Sequence, residues 1–279
     1  MRIRATLAAV TGALALSALA VPAAQAADAP GKLPLSSAGS TATAAELDVT
    51  FSNMNVNKGK SIVVGTTAQV AVPVTYTLTH AADLDTSADN FASGPLIYRG
   101  TSVESATNIL ISDDPGTCTA ASSTVLNCSA VIYIRPADAD LSSSEAGTWK
   151  AGGLAITADE DTKWQGDLGT RKVLRTAKLT VNASPEPVKK GKTITVTGKL
   201  TRANWDTNTY AGYSSQSVVL QFRKKGTTNY TNVKGIKSTS TGALKTTVTA
   251  STDGYYRFTF AGTATTAPAT VAGDYVDVQ

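Results

Sequence analysis

The sequence has little of the chemistry on which most enzymes depend. Its 279 residues include one histidine, two cysteines and only 16% charged residues. It contains neither G-x-S-x-G nor H-E-x-x-H, and no glycine-rich loop that opens a helix. A Ser-His-Asp arrangement would have to use His80, which we expect to be a solvated residue after a strand. These absences predict a non-enzymatic protein, with a glycan-active enzyme built on paired carboxylates as the weaker alternative.

Helix-favouring runs of Leu, Glu and Lys are also missing after residue 26, where Thr, Ser, Val, Ala and Gly dominate. Apolar residues alternate with polar ones, as in Val70–Leu78 and Ser217–Arg223, and glycine turns separate such runs. Seven or eight short strands are predicted before residue 182 and six after it. The sequence therefore predicts an all-β protein made of two tandem immunoglobulin-like β-sandwiches.

A proline-containing joint separates the two predicted sandwiches. Val173–Val181 is expected to close the first sandwich, and the segment S-P-E-P at residues 184–187 interrupts the alternation. Each proline fixes φ and lacks an N–H donor, so it ends a ladder. The alternation restarts at Ile194. We predict a first domain at residues 47–182 and a second at 184–279 that folds alone.

The N-terminal segment resembles an export signal. Arg2 and Arg4 precede an apolar run at residues 7–21, and A-Q-A at residues 24–26 offers a cleavage site. The run is short and interrupted for a transmembrane helix. We expect residues 1–26 to be a signal peptide, 27–46 a flexible leader, and the mature protein to be secreted into the extracellular space without a transmembrane anchor.

The two cysteines and the charges add two expectations. Outside the cell Cys118 and Cys128 are most simply one disulfide, since two thiols without a nearby histidine leave a zinc shell half empty. Residues 27–182 carry 11 basic and 16 acidic residues, a net −5, whereas residues 183–279 carry 12 and 5, a net +7. The mature chain is therefore an acidic module followed by a basic one, which bears on partners more than on fold.

The second module resembles the bacterial immunoglobulin-like domains of small secreted proteins from high-GC Gram-positive bacteria. The resemblance rests on the V-x-L-x-F strand at 218–222, T-G-A-L at 241–244 and D-G-Y-Y-x-F at 253–258. It covers the second module well and the first only loosely, and implies an extracellular binding or spacer role with no catalytic residue. The last motif also reads as a turn and tyrosine-bearing strand, with Tyr256, Phe258 and Phe260 inward and Tyr255 and Arg257 outward.

Acidic loops in the first module make calcium a possible cofactor. Oxygen-rich loops between strands suit this hard cation, although the first loop lacks the glycine and glutamate of an EF-hand. Solvated carboxylates are the alternative. The candidate ligands are Asp83, Asp85, Asp89, Asp159 and Asp161.

The basic module predicts a different partner. Cations beside exposed aromatic rings suit an anionic cell-wall polymer or a carbohydrate, and an extracellular protein is a further possibility. Nucleic acid is not expected for an exported protein. The predicted contact residues lie at the end of one strand and in the loop W-D-T-N-T-Y-A-G-Y at 205–213: Lys224, Lys225, Trp205, Tyr210 and Tyr213. The alternative is that Trp205 and Tyr210 cap the core.

Overall fold

The computed structural model describes residues 46–279; the predicted signal peptide and the leader up to residue 45 lie outside the described residues. The described chain forms twenty strands and three short 3-10 segments, at Asn57–Gly59, Pro136–Asp138 and Ser143–Glu145. The strands are β1 Val49–Val56, β2 Ile62–Val64, β3 Val70–His80, β4 Phe91–Arg99, β5 Asn108–Ile111, β6 Thr117–Ser122, β7 Val125–Ile134, β8 Gly147–Thr157, β9 Thr162–Gln165, β10 Thr170–Arg175, β11 Ala177–Leu179, β12 Asn182–Ser184, β13 Thr193–Asn204, β14 Thr209–Gly212, β15 Ser217–Lys224, β16 Thr231–Lys237, β17 Ala243–Thr249, β18 Gly254–Phe260, β19 Ala269–Thr270 and β20 Asp274–Val276. Among residues 46–279, no helix has the length and apolar character needed to cross a membrane.

The strands form four sheets. The first two have the orders β1-β3-β7-β6 and β2-β10-β8-β4-β5, with β9 also paired to β8. The other two are built around β13, which pairs with β11, β12, β14 and β17, and around the order β16-β15-β18-β19, with β20 also on β18. The predicted all-β class is confirmed.

Contacts along the chain define two compact units. One contains the described residues up to Lys58 together with Pro73–Ile132 and Lys150–Gly169. The other contains Gly59–Val72, Tyr133–Trp149 and Thr170–Gln279. We call them the acidic unit and the basic unit. The basic unit therefore includes the whole second sandwich and two segments from earlier in the sequence.

Alternating buried side chains and one disulfide stabilise the acidic unit. Val74, Tyr76 and Leu78 on β3 are buried, whereas Thr75 and Thr79 on the opposite face of the strand are exposed. Apolar side chains turned inward in this way supply most of the favourable free energy of folding. Cys118 on β6 lies directly opposite Cys128 on β7, and the two form the predicted disulfide.

The core of the basic unit follows the predicted pattern in β15 and β18. Val218 and Leu220 are fully buried, and Tyr256, Phe258 and Phe260 are buried opposite them. Tyr255 and Arg257, the alternate residues of β18, are only half-buried. The expected inward and outward faces of this strand are confirmed.

The predicted closing strand Val173–Val181 is divided between sheets. β10 ends at Arg175, and β11 pairs with residues 200–202 of β13. β12 pairs with residues 195–197 of β13, and its Ala183 is buried in the second core. The alternation before the joint does not show which sheet each residue joins, so the prediction of one closing strand was wrong. The proposed boundary at residue 183 falls inside β12.

The pairing of β11 and β12 with β13 leads to a prediction about fragments. A fragment of residues 176–279 is expected to unfold at a higher temperature than one of residues 184–279, because the shorter fragment lacks β11, most of β12 and two buried alanines. Thermal denaturation followed by circular dichroism measures the difference. Equal midpoints would show that these strands add nothing to the second sandwich.

Candidate binding face

Trp205, predicted as an exposed stacking residue, is buried. Its side chain is 1% exposed, and the indole Nε1 donates to the carbonyl oxygen of Val64 at 3.4 Å. Its backbone N–H donates to Ser143 Oγ at 3.0 Å. All three residues belong to the basic unit. A buried indole cannot stack on a polymer, so the predicted contact role of Trp205 is wrong and its core alternative is correct.

The predicted recognition loop at 205–213 is largely a hairpin. β14 occupies Thr209–Gly212 and pairs with residues 201–204 of β13. The Lys178 ammonium lies 3.7 Å from the centre of the Tyr210 ring, and the Arg202 guanidinium lies 3.9 Å from that of Tyr213. Tyr213 is 8% exposed and Tyr210 half-buried. Each ring therefore has one face covered by a cation of its own chain.

A different set of residues, most of them half-buried, forms a basic and aromatic surface. β15, β18 and β20 lie side by side in the second sandwich, and Arg223 of β15 pairs with Tyr255 of β18, which pairs with Tyr275 of β20. Alternate residues of these strands fill the core, so this row points outward. Tyr230, just before β16, extends the row beyond Arg223. We call the surface formed by Arg223, Lys225, Tyr230, Tyr255, Arg257 and Tyr275 the Arg–Tyr face.

Cations and rings alternate across the Arg–Tyr face. The Arg223 guanidinium lies 4.1 Å from the ring centre of Tyr255 and 5.3 Å from that of Tyr230. The Arg257 guanidinium lies 3.6 Å from the Tyr230 ring centre, and the rings of Tyr255 and Tyr275 are 5.2 Å apart. Contacts of this kind are attractive because the negative face of the ring meets the cation. They hold long side chains in one arrangement.

Hydrogen bonds fix the edges of the same surface. Arg257 Nε donates to Gln221 Oε1 at 2.9 Å, and Arg223 Nη1 donates to the carbonyl oxygen of Thr227 at 2.5 Å. The remaining guanidinium N–H groups lie on half-buried residues at the surface. Because a guanidinium presents its donors in a planar fork, its edge can bind a phosphate or carboxylate while its face stays stacked.

The predicted Lys225 belongs to this surface. Its ammonium lies 2.9 Å from the Tyr275 hydroxyl and 3.3 Å from Asp253 Oδ2. The hydrogen bond to Tyr275 and, after it, the one to Asp253 raise the pKa of Lys225 above its usual range. Lys224 is exposed at the end of β15. The cations of the face are Arg223, Lys225 and Arg257, and the carboxylate beside them is that of Asp253. The Arg–Tyr face therefore has a net positive charge at neutral pH.

The sequence contained a signal for this face that counting lysines missed. The alternation in β15 and β18 places Arg223, Tyr255 and Arg257 outward. Placing them beside one another requires the register of the two strands, and only the folded structure supplies it. Tyr275 was harder to find because the strand around it is short.

The candidate calcium ligands do not form a ligand set in the described part of the chain. Residues 46–279 contain no group of three or more His, Cys, Asp or Glu side chains placed to hold a metal ion. Asp85 instead accepts hydrogen bonds from Ser87 N at 2.9 Å and Asn90 Nδ2 at 2.6 Å. The hydrogen bond from the Ser87 backbone is the main cause that lowers the pKa of Asp85. Calcium binding at these loops stays a prediction from the sequence.

His80 is not the solvated residue that the sequence indicated. It is the last residue of β3 and is 8% exposed. Its Nδ1 lies 2.8 Å from the carbonyl oxygen of Ala81, so one ring nitrogen is used within its own strand end. His80 is therefore buried, although the strand pattern places it at the boundary with solvent.

The fold and this surface define an all-β protein with a basic, tyrosine-rich face. No protein-family model matches the sequence, and no curated protein matches it.

Similar solved structures include the teleost fish polymeric Ig receptor ectodomain, at 14% identity over 79% of this chain and 96% of that one, with a TM-score of 0.23. The fibronectin(III)-like modules of Clostridium thermocellum CbhA are 9% identical over 81% and 92%, with a TM-score of 0.28. The D0-D1 domain of intimin is 16% identical over 81% and 98%, with a TM-score of 0.26. Similarities at this level assign neither a ligand nor an activity.

Trp205→Ala is expected to destabilise the protein without a specific loss of ligand affinity. Truncating a buried tryptophan leaves a cavity and typically costs about 3–5 kcal/mol. Differential scanning calorimetry should show a large fall in melting temperature, whereas Lys224→Ala at an exposed position should change it little. A Trp205→Ala protein of unchanged stability would contradict the buried position.

Asp253 leads to a prediction about pH. It accepts hydrogen bonds from Val278 N at 2.9 Å, Tyr275 Oη at 3.0 Å and Lys225 Nζ. The hydrogen bond from the Val278 backbone has the largest effect, and together these bonds lower the pKa of Asp253. A carboxyl whose folded-state pKa is depressed stabilises the protein above its unfolded pKa of about 3.9, and the contribution is lost as the pH falls through the folded pKa.

Asp253→Asn is therefore expected to lower the melting temperature at pH 7 and to lose this effect progressively below about pH 4. Thermal melts between pH 2 and pH 7 measure the difference from the parent protein. Asp277→Asn, near the same C-terminal strand, serves as the control. A difference that does not change with pH would show that the charge of Asp253 is not what stabilises the turn.

Proposed function

We propose that this protein is a secreted, non-enzymatic interaction protein of the extracellular or cell-envelope space. Its second sandwich binds an anionic surface polymer through the Arg–Tyr face. Function in all-β folds commonly lies on exposed surfaces and loops. The charge split of the mature chain, −5 against +7, favours the second module as the one that meets a polyanion.

The row Tyr230–Arg223–Tyr255–Tyr275 is the observation that carries this proposal. The row crosses neighbouring strands of one sheet. Its tyrosines hold the Arg223 guanidinium and the Lys225 ammonium in fixed positions. A polymer with repeated phosphate or carboxylate groups can place successive charges against Arg223, Arg257 and Lys225. Sugar rings between those charges would meet the tyrosine edges.

Two other functions have weaker support. A calcium-binding role rests on the sequence of the acidic loops alone. A glycan-active enzyme would need two carboxylates held across a cleft. The carboxylates that the sequence singled out include Asp85, which lies in a loop and accepts a hydrogen bond from the backbone N–H of Ser87. An extracellular protein with an acidic surface would use the Arg–Tyr face in the same way as a polymer.

The experiment compares two double variants that remove the same charge. Arg223→Gln with Arg257→Gln changes the Arg–Tyr face, and Lys199→Gln with Lys245→Gln changes exposed residues of the other sheet. Binding of the full-length mature protein to poly(glycerol phosphate) and to polygalacturonate is measured by isothermal titration calorimetry. The first variant is expected to bind at least about tenfold more weakly, a loss of about 1.4 kcal/mol, and the second nearly as tightly as the parent.

Salt provides the second measurement. The Debye length falls from about 10 Å at 0.1 M to about 3 Å at 1 M, so an electrostatic interaction must weaken steeply over this range. Equal losses in the two double variants would show that overall charge, and not the Arg–Tyr face, attracts the polymer. Undetectable binding of the parent protein to both polyanions would reject the proposed function.

A further inference from the structure

The acidic unit has a surface of the opposite character. The outward residues of β1, β3, β6 and β7 include threonine, serine and asparagine side chains, and a depression of about 430 Å³ lies among these. Among the described residues, 46–279, no charged side chain lines this depression. We call it the hydroxyl groove, and its polar lining includes Asn53, Thr75, Thr77, Thr119, Asn127 and Ser129.

The strand register gathers these side chains into two rows. Ser52 of β1 lies opposite Thr77 of β3, and Asn127 of β7 lies opposite Thr119 of β6. One step along, Asn55 lies opposite Thr75, and Ser129 lies opposite Thr117. Since side chains two residues apart share a face, the four strands present hydroxyl and amide groups at regular spacing.

A chain of hydrogen bonds orients the groove. Asn53 Nδ2 donates to Thr77 Oγ1 at 3.3 Å, and Thr77 Oγ1 donates to Asn127 Oδ1 at 3.3 Å. Thr119 Oγ1 donates to the carbonyl oxygen of Asn127 at 3.4 Å. Within residues 46–279 this leaves the amide NH₂ of Asn127 and the Oδ1 of Asn53 available, one a donor and the other an acceptor.

The floor of the groove is rigid. The disulfide between Cys118 and Cys128 ties β6 to β7 at the row between Thr117 and Thr119. Beneath β3, the buried Tyr76 hydroxyl lies 2.9 Å from Ser93 Oγ and 3.1 Å from the Ser93 carbonyl oxygen. A ligand therefore meets groups that are already ordered, which reduces the entropy lost on binding.

Charge decides the class of ligand. The described residues of the acidic unit include 12 acidic and 4 basic residues, a net −8, so their field repels a polyanion. In the part of the chain that the structure describes, the groove offers no carboxylate or ammonium to pair with a charged ligand. Its hydroxyl and amide groups both donate and accept, as sugar hydroxyls do.

We propose that the hydroxyl groove is a second binding site, independent of the Arg–Tyr face, and that its ligand is an uncharged polysaccharide. Asn53, Thr77, Thr119 and Asn127 hydrogen-bond the sugar hydroxyls across the two rows. The two sites then recognise polymers of different charge, and binding at the groove depends little on salt.

The test uses the full-length mature protein and soluble neutral polysaccharides: dextran, a β-1,3-glucan, mannan and xylan. Asn127→Asp places a charge in the groove without changing size, and Thr119→Val removes a hydroxyl from an exposed strand position. Each is expected to weaken binding of the recognised polysaccharide at least tenfold. Matched controls are Asn229→Asp in an exposed loop and Thr247→Val on the exposed side of β17, which are expected to bind within twofold of the parent.

Three results would overturn the proposal. They are binding of none of the four polysaccharides at millimolar sugar concentration, binding that survives Asn127→Asp, and preferential capture of an extended peptide along the edge strand β6. The outcome is separable from that of the Arg–Tyr face. The Arg223→Gln/Arg257→Gln variant should keep neutral-polysaccharide binding, and this binding should stay within twofold between 0.1 M and 1 M salt. Melting curves of every variant establish that it is folded.

Discussion

The register between β15 and β18 is the constraint on which the second sandwich depends. It places Leu220 beside Phe258 in the core. Three residues along the same strand pair, it places Arg223 beside Tyr255 on the surface side of the sheet. A slip of one residue would exchange the two faces, because side chains alternate with a period of two. The same hydrophobic burial that stabilises the sandwich therefore assembles the Arg–Tyr face. Neither could be changed without the other.

The chain also separates two kinds of polar surface. In the basic unit, cations are stacked on tyrosines and kept charged by hydrogen bonds such as that between Lys225 and Tyr275. In the acidic unit, carboxylates such as that of Asp85 lie in loops, while the lining of the hydroxyl groove among the described residues is uncharged. Strand faces and loops thus carry different chemistry in the two units. This difference underlies the proposal that the two units recognise different classes of polymer.

Buried residues of the basic unit link segments far apart in the sequence. Trp205 reaches Val64 and Ser143, and Arg175 Nε donates to the carbonyl oxygen of Ala203 at 2.5 Å. Such contacts remove aromatic area from solvent and satisfy polar groups that would be costly to bury unpaired. They explain why a tryptophan in an apparently polar hairpin stabilises the fold instead of meeting a ligand.

The sequence by itself determined the all-β class, the disulfide, the charge split and the inward and outward faces of β18, because each follows from local alternation, turn residues or simple counting. It did not determine that β11 joins β13, that His80 and Trp205 are buried, or that β14 forms within the predicted loop. Those outcomes depend on which distant strands pair. Local alternation is the same whichever sheet a strand joins, so only the tertiary structure decided which outward residues became neighbours.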